Sequence, residues 1–450
     1  MLTNLNDTCI PGGTLQQNGS GKFNDYTYEL LSDIKSLGVN AIWYTGVLEM
    51  ATKTDFSAYG IEKDNPHVVK GEAGSPYAIK DYYDVDPALA VNVDKRLEEY
   101  DALVKRTHKA GMKVLMDFVP NHTARRYRSD AAPEGVTPFG ADDDTTLRFS
   151  PANDYYYITN QQFEPDFDIS SDPAYVEFPA KVTGNDCFSA FPGRNDWYET
   201  VKLNYGRDYE SGQTHFWPVP RLWGKMLHIL RYWLARGVDG FRCDVASFVP
   251  LEFWLEARAA VEKVNPDCIW LAETVHQSYG CYARRQGIYS ALDYDEFEAF
   301  DIEYEYDVRE AFDKYLRGEI VLSHYLDMLN FQEAVYPANY NKLRFLENHD
   351  QPRICSSVER ECDLVNYTAF LYFLKGTTLI YAGQEFENSH LPSLFEREPI
   401  DRDTGRDMSA LLARLHGIKR RFGCADYFVA SADDEHNIAV LERGGDGKRF

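Results

Sequence analysis

The chain repeats one pattern: a stretch with apolar residues at helical spacing, a short link, then an apolar run that ends in polar residues. Residues 26–38 (YTYELLSDIKSLG) predict a helix closed by a glycine, and NAIWYTGV from Asn40 predicts a buried strand. A helix over 95–111 precedes the strand KVLMDFVPNH, one over 221–237 precedes VDGFRCD, and one over 251–264 precedes CIWLAET. The run KLRFLENHD, a helix over about 364–374, TLIYAGQE and a last helix over about 408–421 continue the order.

Near-continuous apolar strands separated by helices imply a parallel sheet, either doubly wound or closed into a barrel. The strands end in Asp117, Asp244, Glu273 and Asp350. In a barrel, polar residues at strand C-termini converge on one mouth, which favours that form, so the fold expected is an α/β, (β/α)8 TIM barrel. From 122 to 220 the pattern fails: the text is rich in aromatics, Asp and Gly, with no clear amphipathic helix. Long irregular insertions in compact folds are usually functional. The expected organisation is a barrel over 1–121 and 221–423, an inserted irregular domain over 122–220 after the third strand, and the start of a C-terminal antiparallel β domain over 424–450, with a GGDGK turn. A first barrel strand should precede Tyr26, where the apolar residues lie around Leu2. Because the β domain also stops after about one hairpin arm, the chain reads as a fragment of a longer one.

Charge narrows the partners. The chain carries 47 basic and 71 acidic residues, a net charge of −24, which repels phosphate backbones and argues against nucleic acid. No run of 18 apolar residues predicts a membrane span. No basic segment followed by an apolar one marks a signal peptide, and the eight cysteines form no CxxC, so reduced thiols and a cytoplasmic setting are expected. GSGKF at 19–23 lacks the hydroxyl residue of a phosphate loop, and there is no GxGxxG, HExxH or GxSxG.

The remaining chemistry is acidic. Asp244 in GFRCDVA, Glu273 in IWLAETV and Asp350 in FLENHDQPR stand at strand ends in apolar text. Glycosidic cleavage uses a pair of carboxyls, one ionised and one protonated. In a regular strand Arg242 and Asp244 point to the same side, and a cation at that distance favours an ionised aspartate. Glu273 follows Trp270 and Leu271, where burial would raise its pKa as a general acid requires. The 31 Tyr, 26 Phe and 7 Trp supply rings on which apolar sugar faces can stack.

These residues carry a resemblance. DFVPNH (117–122), GFRCD (240–244), AET (272–274) and ENHD (347–350) resemble, in order, the four sequence regions of the α-amylase family; EPDFD (164–168) resembles its short fifth region and TLIYAGQE its eighth strand. The resemblance covers about residues 22–422. It implies a retaining glycoside hydrolase cleaving α-1,4-glucosidic bonds of starch, glycogen or maltodextrin. Asp244 would be the nucleophile, Glu273 the general acid and base, and Asp350 the binder of sugar hydroxyls. Arg242 would position Asp244, His122 and His349 would bond the sugar, and Tyr77 would stack on it. Asp117 would support Arg242. The resemblance also implies a structural calcium ion held by Asn121, Asp166 and Asp168, with no cofactor needed for the chemistry.

The sequence departs from the family in two places. VASF follows Asp244 where many α-amylases have a Lys-His pair, and Ala78 follows Tyr77 where exo-acting α-glucosidases have Asp. An α-glucosidase or glucosyltransferase with the same catalytic residues, and a non-catalytic relative acting as a binding subunit, are the alternatives.

Overall fold

Seven short parallel strands form one curved sheet in the order β1 (Ala41–Tyr44), β2 (Lys113–Phe118), β3 (Gly240–Cys243), β4 (Ile269–Ala272), β5 (Ile302–Tyr304), β6 (Lys342–Arg344) and β7 (Thr377–Thr378). The structure, a computed structural model, describes residues 8, 10, 15–422, 426–445 and 448–449. The strand expected around Leu2 lies outside the described residues. Consecutive strands are neighbours and helices fill the connections, which is the sheet of a (β/α)8 barrel. Inside its curve Leu115, Leu271, Tyr304, Tyr306, Leu343 and Phe345 pack together.

The helices cover the outer face because each carries one apolar stripe. Arg221–Ala235 buries Leu222, Met226, Ile229, Leu230 and Trp233 at spacings of three and four. Tyr28–Ser36 begins where the Thr27 hydroxyl accepts the Leu30 N–H. It ends before Gly38, whose φ of 96° and closeness to His416 exclude a side chain.

One barrel strand escaped the hydrophobic pattern. β5 lies in FDIEYEYD, which alternates apolar and acidic residues although it is buried on both faces. Its acids are buried because the next strand supplies cations. Glu303 stands opposite Lys342 and bonds it at 3.2 Å, and Glu305 bonds Arg344 at 3.0 Å. The helices Tyr306–Leu316 and Leu322–Val335 that follow were also absent from the expected elements.

Between 125 and 220 there is no helix. His122–Ala124 pairs antiparallel with Thr200–Lys202, and Tyr157–Ile158 with Ala180–Lys181, around a small core that includes Tyr156, Phe163 and Val182. β8 (Tyr427–Asp433) and β9 (Ile438–Gly445) form the expected antiparallel pair. The GGDGK turn includes Asp446 and Gly447, outside the described residues. Among the described residues no helix is long and apolar enough to cross a membrane. The described cysteines are free, and Cys281 and Cys362 are exposed.

Candidate active site

The register of the sheet brings the two central acids together. Asp117 is paired with Arg242, and Cys243 with Ala272, so the next residues, Asp244 and Glu273, are neighbours at the strand ends. The Asp244 N–H donates to the Phe118 carbonyl at 2.8 Å, and the Glu273 N–H to the Cys243 carbonyl at 3.0 Å, which extends the ladder through both acids. The chain then turns sharply. Val245 has a φ of 45°, a left-handed conformation rare for a β-branched residue, and its N–H donates to Glu273 Oε2 at 2.8 Å.

Arg242, fully buried, organises the floor. Its Nη1 bonds Asp244 Oδ1 at 2.6 Å and its Nη2 bonds Glu273 Oε1 at 2.7 Å. Nε donates to the Tyr304 hydroxyl at 3.3 Å, and the guanidinium lies 5.0 Å from the centre of the Trp43 ring. Asp117 accepts from Trp43 Nε1 at 3.1 Å and from the Gly46 N–H at 2.9 Å, and lies 3.5 Å from Arg242, a supporting position.

Burial and charge oppose each other at the acids. Burial pushes Glu273 up to about 8 and Asp244 to about 6, with Arg242 pulling both down. Arg242 offsets the desolvation at Asp244 only in part. Asp244 remains the more acidic of the two. Its Oδ2 has no hydrogen-bond donor.

Tyr77, His122, Asp244, Glu273 and Asp350 all line one cavity of about 390 Å³. Arg242 and His349 stand behind it. His349 Nε2 lies 2.5 Å from the Tyr77 hydroxyl and 3.1 Å from Asp350 Oδ2, linking ring and carboxylate. Burial lowers His122 to about 3 and His349 to about 4, so both are neutral at pH 7. Ser247, in the departure after Asp244, is buried and donates to Glu296 Oε2 at 3.1 Å, a structural position. Ala78 is buried against the Ser75 carbonyl.

Sequence reasoning missed several cavity residues, among them Trp197 and Glu199 of the inserted segment, Lys70, Tyr306 and Phe395. Lys70 Nζ lies 3.3 Å from Glu199 Oε1, while buried Glu199 Oε2 has no hydrogen-bond donor. Lys70, Trp197, Glu199 and Phe395 stand in loops or turns without periodicity and Tyr306 opens the unexpected helix Tyr306–Leu316, so the clustering of aromatics in the insertion was the only signal.

The residues expected to hold calcium are not brought together. Asn121 is buried, and its Oδ1 accepts from Lys202 Nζ at 2.8 Å. The same ammonium lies 2.9 Å from Asp186 Oδ1. A cation is therefore already present at Asn121, supplied by the chain, and the donor set does not fit a metal ion there. Asp166 and Asp168 face solvent, and Asp168 Oδ1 accepts from the Ser170 N–H and hydroxyl.

The alpha-amylase catalytic-domain family model matches residues 17–421. A cyclomaltodextrinase from a Bacillus species is 26% identical over 384 residues, covering 84% of this chain and 53% of that protein. An alpha-glucosidase from Schizosaccharomyces pombe is 24% identical over 363 residues, covering 70% and 56%. The chain thus spans about half the length of the curated relatives it matches. The crystal structure of an alpha-amylase from Lactobacillus plantarum superposes with a TM-score of 0.73 at 30% identity, covering 95% of this chain and 83% of that one. With a curved parallel sheet, a pair of carboxyls joined by one arginine at its strand ends, and a family match over most of its length, this chain belongs to the alpha-amylase catalytic-domain family.

Proposed function

We propose that the chain is a retaining glycoside hydrolase that cleaves α-1,4-glucosidic bonds in starch, glycogen or maltodextrin. The observation that carries this reading is one guanidinium bonded to both Asp244 and Glu273, with burial holding the two carboxyls at different acidities. Bridging by one arginine favours the short separation of retaining enzymes, about 5–5.5 Å, over the wider spacing of about 6.5–9.5 Å that leaves room for a water in inverting ones.

In the first step Asp244 Oδ2 attacks the anomeric carbon while the bond from that carbon to the leaving oxygen breaks, and the Glu273 proton passes to that oxygen. In the second, water attacks the same carbon, Glu273 takes the water's proton, and the bond to Asp244 breaks. Asp350 and His122 hold the sugar hydroxyls, His349 orients Asp350 and Tyr77 from behind, and Tyr77 stacks on the ring. Inversion at each step returns the α configuration. Proton NMR during the first minutes of maltoheptaose hydrolysis is expected to show the α-anomer released first. A β-anomer would exclude a covalent Asp244 intermediate, and conserved reducing ends would point to transfer.

The pH profile follows from the two acids. Asp244 must be ionised, so kcat/KM falls as pH drops through about 6. Glu273 must be protonated, so it falls again as pH rises through about 8. A bell between those limits is expected, and Glu273→Gln should remove its alkaline limb.

A further inference from the structure

Away from the cavity, the strands Leu48–Met50 and Ile79–Val85 pair antiparallel, and Glu49 stands directly opposite Asp81. Like charges in that position repel, and here both are buried, Glu49 at 1% exposure and Asp81 at 0%. Buried Asp84 and exposed Asp130 join them, and one oxygen from each of the four carboxylates lies within 4.8 Å of the others. Compensation is partial. Arg96 bonds Asp84 through Nε at 2.7 Å and Asp130 through Nη2 at 3.0 Å. Lys80 Nζ is 3.7 Å from Glu49 and is shared with Asp64 at 3.1 Å. Asp81 accepts from the Ser129 hydroxyl and from the N–H groups of Tyr83, Asp130 and Ala131. Glu49 differs from the rest: neither of its oxygens has a hydrogen-bond donor.

We propose that Glu49, Asp81, Asp84 and Asp130 bind one divalent cation, with calcium the best fit. Counting Asp64, which shares Lys80, five carboxylates face two cationic side chains, an excess of negative charge that one divalent ion would largely offset. An all-oxygen set of irregular geometry suits calcium, whereas magnesium demands a near-ideal octahedron. The ion would relieve the Glu49–Asp81 repulsion and tie this strand pair to residues 129–131, at the entry to the inserted segment. The site uses none of the residues first expected to hold calcium.

Thermal unfolding of the full chain, stripped with EDTA and then given millimolar CaCl2 or MgCl2, tests this. Calcium is expected to raise Tm by about 3 °C or more, and more than magnesium does. Glu49→Gln and Asp130→Asn should abolish the rise, while Glu273→Gln should keep it, which excludes binding at the cavity carboxylates. No rise with calcium, or an undiminished rise in Glu49→Gln, would overturn the site and leave Glu49 as a protonated buried acid. If Glu49→Gln does not fold, the exposed Asp130 decides: a rise unchanged in Asp130→Asn overturns the proposal.

Discussion

Asp244→Asn should lower the rate of maltoheptaose hydrolysis by about 10⁴-fold or more while the protein unfolds at nearly the same temperature. An amide keeps the shape of the carboxylate and can still face Arg242 Nη1, now 2.6 Å from Asp244 Oδ1, so packing around the floor is preserved. Nucleophilicity is lost, because a neutral amide has no ionised oxygen to attack the anomeric carbon. Release of reducing ends measures the first quantity, and thermal unfolding followed by circular dichroism the second. Near-normal hydrolysis would remove Asp244 from the mechanism. A collapse in Tm together with activity would make it a structural ion-pair partner. Glu273→Gln offers a contrast, since a substrate with a fluoride leaving group needs no protonation and should be cleaved faster by that variant than maltoheptaose is.

Lys202→Met should destabilise the chain by about 3–5 kcal/mol, the usual range for removing one partner of a buried ion pair. The ammonium and Asp186 are 3% and 2% exposed, so water screens little of their attraction. Burial already raises the Asp186 pKa, and Lys202 opposes that shift. Without the lysine, Asp186 is left buried and unpaired, and Asn121 loses the donor on its carbonyl oxygen. Activity should fall as well, because Asn121 Nδ2 lies 3.1 Å from His122 Nδ1 and fixes the ring that lines the cavity. Denaturant unfolding of Lys202→Met, Asp186→Asn and the double variant measures the pair. The double variant should lose less than the sum of the singles, since it removes the uncompensated charge. Additive losses would mean that the two groups do not interact.

Much of the barrel could be read from the chain because a strand buried on both faces needs apolar side chains on both. AIWY, KVLMDF, GFRC and IWLA meet that condition, and their order with the intervening helices implied a parallel sheet. β5 does not meet it. Its Glu303 and Glu305 are tolerated only because Lys342 and Arg344 arrive from a strand about forty residues later in the chain. A local pattern cannot register a partner that far away, so the strand was absent from the expected elements. The acids at strand ends were visible for the opposite reason, as isolated charges in apolar text.

The sequence by itself determined the alternation of helix and strand and the order of the acidic strand ends, since both follow from periodicity and local burial. Only the tertiary structure decided how those acids behave. Arg242 favours the ionised form of Asp244, yet the closed floor removes enough water that desolvation outweighs the arginine at both acids. It also decided which cation stands at Asn121, because a lysine eighty-one positions along the chain reaches it only through the pairing of His122–Ala124 with Thr200–Lys202. Desolvation and long-range pairing depend on every wall of a site at once, and no window of sequence contains those walls.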